Sequence, residues 1–231
     1  MRLTLPIREV IRATPRAAIV RLDLDGGRLD YAAGQAVLVG SHGGDVQRPY
    51  SISSAPEETA ATGTIELLVG VGADGVAGPH LPLTPGALAD VEGPLGTFTF
   101  PADPIERRFV FVAGGTGIAP LRAMLRHALA IPHGTVGLFY SARTPDDFAY
   151  EAELRALAAR GDIELRQTIT RGGDADWHGL RGRIDRAALA PFVHDPATLC
   201  FVCGPRALVE EVPKLLTELG IARERIRTEE W

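Results

Sequence analysis

The 231-residue sequence holds only two cysteines, two tryptophans and one lysine, and it has no long apolar run. Its longest, such as Phe109 to Ala113 and Leu199 to Val202, fall far short of the ~20 residues needed to cross a bilayer, so no membrane span is expected. The start, Met1-Arg2-Leu3-Thr4-Leu5-Pro6-Ile7-Arg8-Glu9, breaks its apolar residues with charges and a proline, unlike the continuous apolar region of an export signal. A cytoplasmic protein is expected. Two cysteines are too few to ligate an iron–sulfur cluster. Cys200 and Cys203 share one apolar strand and lie away from the helix start that thioredoxin-type pairs occupy, which disfavours a redox disulfide. No metal site is expected. A net charge of -5 argues against nucleic-acid binding, which draws on basic surface to displace counterions.

What is present is an ordinary globular composition. Hydrophobic residues make up 45% and charged residues 23%, enough apolar surface for a core and too little charge for disorder. With Lys214 the only lysine, the basic residues are arginines, and Arg2, Arg8, Arg12, Arg16, Arg21 and Arg28 crowd the N-terminal segment. They read either as a docking patch for an acidic partner or as solvated strand faces.

The chain divides near Pro101-Ala102-Asp103-Pro104, where paired prolines break ladders and helices alike. Residues 1–102 show short β-rich runs, at 17–24, 35–39, 65–71 and 89–92, between glycine and proline punctuation, as in a small antiparallel barrel. Residues 103–231 alternate strands, at 109–113, 136–140, 163–169, 199–202 and 226–231, with helices, including 150–160 and 206–219. That alternation predicts a doubly wound parallel sheet with helices on both faces. The expected fold class is a two-domain protein, an antiparallel β-barrel followed by an α/β domain.

Three motifs carry chemistry. Gly114-Gly115-Thr116-Gly117-Ile118-Ala119-Pro120 lies between an apolar strand and an amphipathic helix. Glycines there admit a phosphate to the backbone N–H groups, and the helix dipole favours its charge. The loop is neither Gly-x-Gly-x-x-Gly nor a Walker loop, and a plain strand-to-helix turn reads as well. Arg48-Pro49-Tyr50-Ser51 sets a cation, a ring and a hydroxyl on extended backbone, a combination suited to a pyrophosphate and a flat heterocycle such as flavin. Cys203-Gly204-Pro205 ends a strand at the carboxyl edge of the sheet, where α/β folds bind ligands, and Gly204 would admit a planar group.

In this order, and with a terminal aromatic, the motifs resemble the ferredoxin–NADP reductase superfamily over essentially the whole chain. The resemblance implies that residues 1–102 bind FAD: Arg48 at the pyrophosphate, Tyr50 stacked on the flavin, and Ser51 near its reactive N5, with Pro49 shaping the strand. A further family motif, Gly-x-x-Ser-x-x-Leu, matches Gly75-Val76-Ala77-Gly78-Pro79-His80-Leu81, except that Gly78 replaces the serine and so removes a side-chain phosphate contact. Backbone N–H groups of Val76, Ala77 and Gly78 would compensate from the start of a short helix. His80, beside this loop, reads either as a contact to the cofactor or as a partly exposed surface histidine, and the surface reading is preferred.

By the same resemblance Gly114, Gly115, Thr116 and Gly117 receive the pyridine-nucleotide pyrophosphate, and Cys203, Gly204 and Pro205 the nicotinamide. Trp231 covers the flavin face and Glu229 handles protons, so Ser51, Cys203, Glu229 and Trp231 form the expected catalytic set. Arg143, Arg171 and Arg183 follow candidate strand ends and resemble a site for the 2′-phosphate of NADPH, where a guanidinium forks well onto the dianion. NADPH is the expected coenzyme. NADH remains possible, because the stretch 172–181 with Trp177 also resembles NADH-linked oxygenase reductases.

The function implied is hydride transfer from NADPH to FAD, followed by one-electron transfer to an iron–sulfur ferredoxin or a flavodoxin, by a monomer or weak oligomer. Alternatives are an NADH-dependent reductase component of an oxygenase or P450 system, a free-flavin reductase and, against the retention of Ser51, Cys203 and Glu229, a non-enzymatic flavin-binding subunit.

Overall fold

The computed structural model describes residues 1–72, 74–172 and 176–231. They form two compact units, Met1–Ala102 with Arg122–His127, and Asp103–Leu121 with Ala128–Trp231.

The first unit contains β1 (Arg2–Thr14), β2 (Ala17–Asp23), β3 (Ala36–Ser41), β4 (Arg48–Ser51), the short helix α1 (Pro56–Thr62), β5 (Thr64–Gly70) and β6 (Leu88–Leu95). The strands pair antiparallel in the order β4-β3-β6-β1-β2-β5. A bridge from Ile52 to Leu67 ties the continuation of β4 to β5 and closes the two edges on each other. Closure removes the unpaired strand edges that an open sheet would leave. Alternate residues point inward, so Leu5, Ile7, Val20, Leu22, Val37, Val39, Ile65, Leu67 and Val69 make one core.

β1 lies outside the strands expected from the sequence. Its charges and proline, taken as interruptions, alternate with Leu5 and Ile7 as the outer face of a half-buried strand. Pro6 occupies the final pair of the β1–β6 ladder, where a missing N–H interrupts little. The N-terminal arginines have local partners: Arg2 meets Glu92, Arg8 meets Asp23, Arg21 bridges Glu9 and Glu66, and Arg28 meets Asp30. These pairs fit the solvated strand-face reading.

The second unit contains β7 (Phe109–Gly114), the two ends of α2 (Ile118–Ala130, whose Arg122–His127 group with the first unit), β8 (Val136–Ala142), α3 (Glu151–Ala159), β9 (Glu164–Ile169), β10 (Leu180–Arg181), α4 (Arg186–Leu189), β11 (Leu199–Gly204), α5 (Arg206–Glu218) and β12 (Ile226–Glu230). All six strands are parallel, in the order β10-β9-β8-β7-β11-β12. The chain steps one way from β7 to β10 and then returns to β11 on the other side of β7. Right-handed crossovers therefore place the helices of the two runs on opposite faces. Every residue of β7, β8 and β11 is buried, as in a sheet covered on both sides. On one face Val212 and Leu216 of α5 join the cluster of Val110, Val112, Cys200 and Val202. The alternate residues Phe111 and Phe201 stack with centroids 5.4 Å apart.

Phe201 is fully buried in the middle of this sheet. Phe201→Ala should lower the unfolding free energy by about 3–5 kcal/mol, measured by urea denaturation; a loss below about 1 kcal/mol would contradict this packing.

Candidate functional site

In the first unit, β4 pairs with β3 so that Tyr50 faces Val37 and Ser51 faces Ala36. Arg48 and Pro49 are exposed, Tyr50 is half-buried and Ser51 is buried. The Ser51 hydroxyl has no hydrogen-bond partner among the described residues. A buried hydroxyl left unpaired costs about 1–3 kcal/mol, which a ligand carrying a ring nitrogen or carbonyl would offset. Such a ligand fits a flavin ring.

His80 is 3% exposed, which corrects its reading as a surface residue. Its carbonyl accepts hydrogen bonds from the Ser41 amide at 2.6 Å and the Ser41 hydroxyl at 3.0 Å, drawing this stretch onto the end of β3. The next residue, Leu81, is fully buried in the barrel core. The imidazole Nε2 lies 2.6 Å from the Tyr50 hydroxyl, with the two ring planes 10° apart. Burial pushes the Tyr50 hydroxyl pKa up, opposed by the nearby Arg48 charge. Burial and then Arg48 push the His80 pKa down, favouring neutral imidazole.

The stretch Val76, Ala77 and Gly78 forms no helix, contrary to expectation. Gly78 takes a φ of 104° and Gly75 one of 80°, left-handed values that interrupt helical geometry. Any backbone contact to phosphate from this loop comes from a turn and lacks a helix dipole.

In the second unit, the strand order reverses between β7 and β11, and the carboxyl ends of these two strands carry both glycine-containing motifs. Open α/β sheets bind ligands at such a switch point. The glycines are required there by close packing. A Cβ on Gly117 would lie 2.4 Å from the Cys203 carbonyl oxygen, and one on Gly204 would lie 3.0 Å from the Gly114 Cα. A Cβ on Gly114 would meet Pro205 at 2.8 Å. The immediate reason for Gly204 is thus its neighbour Gly114, which the sequence did not reveal. Gly115, with a φ of 56°, and Thr116 are exposed. Tyr140 of β8, fully buried, donates to the Gly115 carbonyl at 3.0 Å and fixes the loop from below. Its hydrophobic surroundings in β8 hid that role in the sequence.

Cys203 pairs across the ladder with Glu229, and Trp231 closes the strand end by donating its amide to the Gly204 carbonyl at 3.0 Å. The Trp231 indole donates to the Glu229 carboxylate at 3.1 Å and remains 43% exposed. Burial and then the Glu229 carboxylate push the Cys203 thiol pKa up, and burial pushes Cys200 to about 12. Both cysteines are free, and they are thiols at neutral pH, with no nucleophilic thiolate character. Burial also raises the Glu229 pKa, opposed by its bond from Trp231.

Arg143 follows β8, Arg171 follows β9 and Arg183 follows β10, all at the carboxyl edge of the same sheet and all exposed. The Arg171 amide donates to the Arg143 carbonyl at 2.8 Å, continuing the strand pairing beyond the ladder. The Gly182 amide bonds to the Ile169 carbonyl at 2.8 Å and holds the third strand end alongside. Trp177 stacks on Phe148 at 5.3 Å and donates to the Leu180 carbonyl at 2.8 Å. Residues 173–175 of the predicted insert lie outside the described residues.

Residues 3–100 match the oxidoreductase FAD-binding domain family and residues 111–214 the oxidoreductase NAD-binding domain family. Ferredoxin–NADP reductase B of Sorangium cellulosum is 36% identical over 222 residues, covering 90% of this chain and 88% of that protein. The chain belongs to the ferredoxin–NADP reductase superfamily. Like other flavoenzymes of the superfamily it takes FAD and a nicotinamide dinucleotide as cofactors. The ferredoxin–NAD(+) reductase component of the alkene monooxygenase system of Xanthobacter autotrophicus is 31% identical, covering 89% of this chain and 63% of that one. The ferredoxin reductase in carbazole 1,9a-dioxygenase has the superfamily fold with a TM-score of 0.85 at 24% identity, over 100% of this chain and 69% of its own. Among the described residues no helix is long and apolar enough to cross a membrane.

Gly117→Ala should destabilise the protein by about 1–3 kcal/mol and weaken nicotinamide-nucleotide binding, because the new methyl meets backbone. Gly70→Ala, with nothing within 4 Å of its added carbon, is the control and should change neither. Thermal melting and coenzyme titration read both, and equal behaviour of the two variants would contradict the packing account.

Proposed function

We propose that this flavoenzyme takes hydride from NADPH and passes electrons singly to a ferredoxin, a flavodoxin or a similar carrier, with FAD bound by residues 1–102 and NADPH by residues 103–231. Bound FAD supplies the conversion between two-electron and one-electron chemistry. The protein's residues bind, orient and manage protons. Ser51 is a buried donor for the reactive edge of the flavin, Arg48 neutralises phosphate, and Tyr50 provides a ring against the cofactor. Gly114 to Gly117 receive the coenzyme pyrophosphate at the start of α2. Cys203 offers a protonated, apolar thiol to the nicotinamide, flanked by Gly204 and Pro205, and Trp231 must give way for that ring to enter. Glu229, whose pKa burial raises, stands beside them as the carboxylate that handles protons.

The observation that carries the NADPH reading is the set of three arginines on adjacent parallel strand ends. None of Arg143, Arg171 and Arg183 forms an ion pair among the described residues, so their charge is available to a phosphate dianion. The names of the similar proteins support a carrier as electron acceptor. They also support a second reading, an NADH-linked reductase serving an oxygenase, to which Trp177 beside the same strand ends lends weight. A cytoplasmic location, where reduced coenzyme is available, goes with the two free thiols.

Steady-state reduction of an added ferredoxin tests both parts. Wild type should prefer NADPH, and replacing Arg171 and Arg183 together by alanine should raise the NADPH KM at least tenfold while sparing NADH. Equal effects on both coenzymes would defeat the NADPH assignment, and no reduction of any one-electron carrier would defeat the electron-transfer role.

A further inference from the structure

His80 contributes a buried, hydrogen-bonded imidazole to the flavin side of the molecule, and neither the motif nor the chemistry above gives it a role. Three features of its placement bear on one. First, the hydrogen bond to Tyr50 is short, at 2.6 Å, and the two ring planes are nearly parallel, 10° apart, with centroids 6.0 Å from each other. Second, His80 is itself anchored, by two bonds from Ser41 to its carbonyl and by the burial of Leu81. Third, its other nitrogen, Nδ1, is buried with no hydrogen-bond partner among the described residues, 3.4 Å from where a Cβ on Gly78 would stand.

A neutral imidazole carries one proton on one nitrogen. When the Tyr50 phenol donates to Nε2, that proton sits on Nδ1, and the ring is held as an acceptor toward the tyrosine. Tyr50 is then fixed at both ends, its backbone by the ladder to Val37 and its hydroxyl by His80. A half-buried ring fixed in this way does not have to be ordered when a ligand stacks on it. Gly78 is held at a φ of 104°, which disfavours a side chain, and a Cβ there would only touch the imidazole edge at ordinary contact distance.

We infer that His80 is a positioning residue of the flavin site, whose Nε2 holds the Tyr50 hydroxyl and so preforms the tyrosine ring as a face for the isoalloxazine. The inference rests on the reading of Tyr50 as a flavin contact. It assigns to the loop after Gly78 a task carried by a side chain that acts through Tyr50.

FAD titration of the apoprotein, followed by flavin fluorescence, tests this. His80→Phe keeps the ring bulk and removes the acceptor, and His80→Asn keeps polarity near Nδ1 but cannot reach Tyr50. Both should weaken FAD binding about three- to tenfold, the weight of one side chain left to be ordered, and both should leave the bound flavin more fluorescent because stacking on Tyr50 is looser. His80→Gln, whose amide oxygen reaches the Nε2 position, should restore both readouts to within about twofold of wild type. In a Tyr50→Phe background, His80→Phe should add nothing further. Wild-type affinity and quenching in folded His80→Phe and His80→Asn would overturn the inference, as would a His80→Phe effect undiminished in Tyr50→Phe. Failure of the wild-type protein to bind FAD would defeat the flavin reading itself, whereas FAD binding indifferent to His80 would defeat only the role of His80.

Discussion

The nucleotide half of the molecule depends on how closely the carboxyl ends of β7 and β11 approach each other. Gly114 and Gly204 pack backbone against backbone, and Gly117 lies against the Cys203 carbonyl with no room for a methyl group. This approach lets two loops from opposite windings of one sheet share a single edge. Neighbouring features follow from it: Pro205 starts α5 directly over Gly114, Trp231 ties its amide to the Gly204 carbonyl, and Glu229 stands beside Cys203. A larger residue at any of the three glycines would separate the loops and disperse the groups proposed to meet the nicotinamide.

The electrostatics of the two candidate sites differ in kind. Around Tyr50 and His80, burial favours neutral side chains next to one exposed cation, Arg48, which suits a planar ligand carrying a phosphate. At the β11 edge, burial keeps Cys203 a thiol and raises Glu229, so an apolar wall and a proton carrier stand together. Neither arrangement provides a nucleophile. This agrees with chemistry in which the cofactors react and the protein positions them.

Much of the fold was legible in the sequence because periodicity and punctuation agree there. The continuous apolar runs at 109–113 and 199–202 read as buried parallel strands, and the glycine loops mark their carboxyl ends. β1 was obscured because its outward charges and Pro6 resemble interruptions unless the partner strand is known. The order of motifs was enough to identify the superfamily. Contacts between residues distant in sequence were not legible: His80 reaches Tyr50 across 30 positions and Tyr140 holds Gly115 across 25. A histidine after Gly-Pro looks like a surface residue until Ser41 is seen to draw its backbone inward, whereas Gly78 directly before Pro79 is itself a local signal against a helix that the motif outweighed.

The most direct measurement of the central claim, a flavoenzyme reduced by NADPH, is anaerobic stopped-flow mixing of the FAD-loaded protein with each coenzyme. Rapid bleaching of the flavin's visible absorbance by NADPH, faster than by NADH, is the predicted result. A flavin that stays oxidised with both coenzymes would contradict the account.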